Sequence, residues 1–163
     1  NLRETKGYTY GIYSGFRFDR TPGPFLIDST VERAHTGASV REIFKEVEGM
    51  REAPLPVAEL SAARDALLLS LPGQFETNAD VGASLAELFV YGLPLDYYKG
   101  LPAQLRIVTA GQVQDVARKY LDPQQMKVIA VGDRKRILPQ LQPLGLGTAE
   151  MRDSDGQLPR QTP

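Results

Sequence analysis

At the start of the chain, apolar and small or polar residues alternate; further on, apolar residues recur at helical spacing. Over residues 8–18, Tyr8, Tyr10, Ile12, Phe16 and Phe18 fall on one side, and Thr9, Gly11, Tyr13, Gly15 and Arg17 on the other. This period of two predicts a strand. Asp19 to Pro24 is turn by composition. Residues 25–32 alternate again, with Phe25, Ile27, Ser29 and Val31 against Leu26, Asp28, Thr30 and Glu32. Together they predict an antiparallel hairpin.

Helical signals follow. Ser39 and Glu42 have the spacing of a capping box, and Val40, Ile43, Phe44 and Val47 form an apolar stripe that Gly49 is expected to end. A second helix is expected over 57–71, with Leu60, Ala63, Leu67 and Leu71 on its buried stripe, broken by Pro72-Gly73. Thr77 is placed to cap a third, with Asp80 at its positive end and Val81, Leu85, Leu88 and Phe89 inward; Gly92-Leu93-Pro94 stops it. A short helical segment is expected over 96–104, interrupted by Gly100 and Pro102. Thr109 and Gln112 form another capping-box candidate, ahead of Val113, Val116, Ala117 and Tyr120; Asp122-Pro123 ends that helix. Met126 to Val131 is apolar apart from Lys127 and reads as a central strand, with a short helix over 134–142 after it. The class expected is α+β, helices on one face of a mostly antiparallel sheet. The domain spans 1–145, and 146–163 is a flexible tail. Three strands are few for so many helices, and the chain opens at Asn1 without a methionine, so it reads as a fragment whose first strands lie upstream.

Composition narrows the chemistry. Hydrophobic content of 42% and charged content of 24% describe a globular chain, and the net charge of −1 leaves no electrostatic footprint for nucleic acid. No apolar run is long enough to span a membrane. Without cysteines there are no disulfides and no thiolate metal sites, which tilts toward a periplasmic over a cytoplasmic setting. Arg3 and Tyr8 bracket the turn that feeds the first strand, and a guanidinium with a phenol suits a peptide carbonyl or carboxylate. Gly7 and Gly11 would allow another backbone to come close.

The run Leu2-Arg3-Glu4-Thr5-Lys6-Gly7-Tyr8-Thr9-Tyr10 resembles the signature of the C-terminal domain of pitrilysin/insulinase-type zinc metallopeptidases, the inverzincins, which include mitochondrial processing peptidase-like proteins. Pro54-Leu55-Pro56 before a Glu/Ala-rich helix, Leu71 to Thr77, Tyr91 to Tyr98 and Val131-Gly132-Asp133 follow in the same order. The resemblance covers about residues 1–145 and implies a half that holds no zinc. In that family an Arg and a Tyr of this turn bind substrate backbone near the scissile bond. Here they are Arg3 and Tyr8; Tyr10 fits less well, because the Gly-Tyr pair is the family's anchor. Zinc would sit in a partner domain or subunit carrying His-x-x-Glu-His, with a peptide as substrate.

The remaining residues agree with an absence of chemistry in this chain alone. Two imidazoles one helical turn apart are needed for the zinc motif, and His35 is the single histidine. It reads as a loop or strand-end residue with no ligand role. No Gly-x-Ser-x-Gly elbow occurs, and Gly145-x-Gly147 is linker. No catalytic or metal-binding residue is expected, and the chain alone is expected to be inactive. The alternative is a structural or assembly subunit of the same family that has lost catalysis.

Overall fold

The structure is a computed structural model that describes residues 1–158. It is α+β. Strands β1 (Thr9–Phe16) and β2 (Phe25–Val31) form a two-stranded antiparallel sheet. Six helices follow: α1 (Thr36–Glu52), α2 (Val57–Ser70), α3 (Asn78–Tyr91), α4 (Tyr97–Ile107), α5 (Ala110–Tyr120) and α6 (Arg134–Leu141). The described residues divide into two compact units. The first holds 1–12, 29–44 and residues from 126 onward; the second holds 13–28 and 45–125.

In the first unit the covered face of β1 is the small one. Thr9 is buried, whereas Tyr10 is 99% exposed. The Thr9 hydroxyl lies 2.6 Å from the Thr30 carbonyl and 2.7 Å from that of Gly11, and Ser29 Oγ donates to the Gly11 carbonyl at 2.9 Å. Two side-chain hydroxyls thereby satisfy backbone acceptors beneath the sheet. Helix α1 begins earlier than its expected cap. A 3-10 turn over Arg33–His35 leads directly into Thr36, so Ser39 is an interior helical residue, buried, with its hydroxyl unpartnered. The start of α1 is tied to α6: the Gly37 amide donates to Gln140 Oε1 at 3.2 Å, and Gln140 Nε2 donates to the Arg33 carbonyl at 2.9 Å. A β-carbon on Gly37 would stand 2.4 Å from the Gln140 carbonyl oxygen, so only glycine fits this approach. Leu2 and Ile137 are the buried apolar residues of this unit.

Met126 to Val131 is not a strand. A strand exists through its ladder partner, and among the described residues the sheet consists of β1 and β2 alone. Ile129 and Val131 are accordingly 90% and 96% exposed. Beyond α6, residues 146–158 hold no helix or strand, only a turn in which the Asp153 carboxylate accepts from the Asp155 and Gln157 amides at 3.0 and 2.8 Å. Residues 159–163, the end of the expected tail, lie outside the described residues.

In the second unit, Phe16 of the hairpin sits 4.9 Å from Phe25 and meets Tyr120 of α5 edge-on at 6.2 Å, and the Tyr91 hydroxyl of α3 donates to the Phe18 carbonyl at 2.7 Å. Helix α1 continues through Gly49 to Glu52 because its C-terminal carbonyls find partners: Gln114 Nε2 and Arg118 Nε both donate to the Arg51 carbonyl. Arg64 does the same for the end of α4, donating to the Val108 carbonyl at 2.8 Å. Pro102 does not break α4, which runs from Tyr97 to Ile107 with Gly100 and Pro102 inside it. On α2 the stripe with partial cover is Leu60, Arg64 and Leu68 rather than Ala63 and Leu67, which are exposed. On α3, Ser84 and Leu88 are buried while Leu85 and Phe89 face outward. In both helices the neighbours decide: Leu68 joins Leu71, Phe75, Tyr98 and Pro102 around a shallow apolar pocket, and Ser84 donates to the Gln74 carbonyl.

Candidate functional site

The segment before β1 is one turn of backbone wound on itself. The Asn1 carbonyl accepts from the Thr5 and Lys6 amides, each at 3.0 Å; Gly7 N donates to Arg3 O at 3.1 Å and Tyr8 N to Leu2 O at 2.9 Å. Gly7 ends the turn at φ +66°, a left-handed conformation that glycine adopts without the clash a β-carbon brings. Leu2 is the anchor, only 3% exposed. Burying a leucine side chain is worth roughly 1.5–3 kcal/mol. Glu42 on α1 holds the rim of the turn, accepting from Asn1 Nδ2 at 2.9 Å and pairing with Lys6 Nζ at 3.5 Å.

Arg3 and Tyr8 leave this turn with different surroundings. The Arg3 guanidinium is exposed, and its ion pair with the adjacent Glu4, 3.4 Å away, joins two well-solvated side chains. Such a pair contributes little and yields readily to a better anion or carbonyl. Tyr8 is half-buried and lies flat on His35, ring centroids 4.3 Å apart and planes 12° from parallel. His35 Nε2 is in turn 3.3 Å from Glu32 Oε2. His35, expected as a loop or strand-end residue with no ligand role, lies in the 3-10 turn just after β2, as a neighbour of Tyr8. Sequence spacing gave no sign of this contact, since Tyr8 and His35 come from the two ends of the hairpin. The one local signal was Glu32, three residues before His35. Among the described residues no group of three or more His, Asp or Glu side chains is arranged to hold a metal, and no helix is long and apolar enough to cross a membrane.

Residues 1–67 match the family described as the peptidase M16 inactive domain. This stretch contains Arg3, Tyr8, Glu32, His35 and Glu42. A solved structure, the peptidase M16 inactive domain from Pseudomonas fluorescens, is similar across 74% of this chain at 27% identity with a TM-score of 0.67. In sequence over residues 1–67, and in fold over most of its length, the chain is similar to the M16 inactive domain. It spans 29% of the length of that solved chain. A search of curated proteins gives no match. Likeness to the M16 inactive domain accords with the α+β class and with the zinc-free half expected from the sequence.

Proposed function

We propose that this M16 inactive-type chain is the substrate-binding half of a zinc metalloendopeptidase, and that it acts with a catalytic domain or subunit that supplies the zinc motif. The observation that carries the reading is the N-terminal turn, whose buried Leu2 and closed backbone bear both an exposed Arg3 and a ring-stacked Tyr8. The guanidinium, charged at any working pH, would hold a carbonyl or carboxylate of a bound peptide. The Tyr8 hydroxyl would donate to the scissile carbonyl oxygen as it gains charge. The peptide backbone would add along a sheet edge, which gives affinity without demanding a particular sequence. On this reading residues 1–145 are the working domain and 146–163 a tail, and the zinc stays in the partner.

The test is cleavage of unstructured peptides by the chain assembled with its zinc-bearing half. Tyr8→Phe removes a hydrogen bond strongest in the transition state, and kcat is expected to fall by about 100-fold. Arg3→Ala removes a charged contact, and kcat/KM is expected to fall by about tenfold or more, with Tm unchanged. Full activity in both variants would overturn the reading. A stable complex without peptidase activity in any combination would favour the structural-subunit alternative.

A further inference from the structure

We propose that His35 is a positioning residue for Tyr8: stacked flat on the phenol from a backbone-fixed 3-10 turn, its imidazole fixes the plane and reach of the phenol. The inference rests on the substrate-binding reading above.

A tyrosine on an open sheet face has free side-chain torsions and samples several rotamers. Directed donation to a developing oxyanion requires one of them to be selected in advance. The surroundings of Tyr8 do this. Its backbone is fixed from both sides, by Tyr8 N donating to Leu2 O and by Glu32 N donating to Tyr8 O, each at 2.9 Å. Its ring lies within 12° of parallel to that of His35. Glu32 therefore borders the site twice: its amide sets the Tyr8 backbone, and its carboxylate lies 3.3 Å from His35 Nε2. His35 has a rigid base, since its own amide donates to Glu32 O at 2.8 Å and the next turn of α1 is tied to α6 through Gly37 and Gln140. His35 is itself partly buried, and the stack joins it to the one tyrosine that follows the left-handed glycine.

The assembled peptidase with its zinc-bearing half provides the test, in a cycle of four proteins: native, Tyr8→Phe, His35→Ala and the double variant. His35→Ala is expected to lower kcat by about three- to tenfold, the equivalent of one ring-stacking contact, with KM little changed. In the Tyr8→Phe background, which no longer has the hydroxyl to be aimed, His35→Ala is expected to cost nothing more in kcat. His35→Phe, which restores a flat ring, is expected to recover most of the loss and guards against a folding defect in the alanine variant. If Tyr8→Phe lowers kcat but His35→Ala leaves it unchanged, or if the two losses multiply, the positioning role of His35 is wrong while the substrate-binding reading stands. If Tyr8→Phe itself is silent, it is the substrate-binding reading that fails.

Discussion

Gly37 and Gly49 lie on the same helix and have opposite reasons to be glycine. A β-carbon on Gly37 would press within 2.4 Å of the Gln140 carbonyl oxygen, a backbone atom that α6 holds in place. Gly37→Ala is therefore expected to destabilise by about 1–3 kcal/mol, as overpacking does. A β-carbon on Gly49 would meet nothing within 4 Å. Because glycine in a helix interior is entropically unfavourable, Gly49→Ala is expected to stabilise by about 0.5–1 kcal/mol. Urea unfolding of both variants checks the pair, and the opposite signs would confirm that α1 passes through Gly49. The sequence alone offers Gly49 as a helix stop, because composition records the missing side chain but not the space around it. The turn that carries Arg3 and Tyr8 was legible at this scale, since its charged residues and Gly7 lie side by side in the sequence. The His35 contact was not, because it depends on how the hairpin folds back.

At the scale of elements, caps were the most legible features. Thr77 accepts from the Asp80 amide at 3.1 Å while Asp80 Oδ2 accepts from the Thr77 amide at 3.2 Å, and Thr109 with Gln112 repeats the arrangement. Each motif is closed within four residues, so the sequence contains all of it. Thr77→Ala is expected to cost about 1 kcal/mol of stability, measured by thermal or chemical unfolding. Ser39 and Glu42 have the same spacing and do not cap, because the 3-10 turn at Arg33–His35 starts the helix earlier. Which residues of a helix are covered was also not local, as Phe89 and Leu85 on α3 show. Helix α4 provides a pH signature. Burial first, then the hydrogen bond that Tyr98 donates to Glu87 Oε2 at 2.7 Å, raises the Tyr98 phenol above its ordinary value of 10.0. The folded state thus retains this proton more tightly than the unfolded chain. The stabilisation is complete below pH 10 and is lost as pH rises through the folded-state value. Tyr98→Phe is expected to flatten that alkaline decline in Tm.

For the molecule as a whole, zinc is the discriminating reagent. With one histidine and no cysteine in 163 residues, the chain lacks the ligand set of a closed zinc site. Added zinc is expected to cause no saturable change in its Tm, and stoichiometric binding in calorimetry would contradict the assignment of zinc to a partner. By itself the sequence determined whatever short-range chemistry encodes: the hairpin, the places of the helices after it, the Thr77 and Thr109 caps, and the Arg-to-Tyr turn with its likeness to a zinc-free peptidase half. The tertiary structure decided what depends on neighbours distant in sequence. It buried Thr9 of β1 and exposed Tyr10 beside it, left Met126 to Val131 unpaired, carried α1 through Gly49, and laid His35 on Tyr8. Caps and alternation involve residues a few positions apart, whereas strand pairing, side-chain burial and ring stacking are fixed only when the chain has closed its long loops.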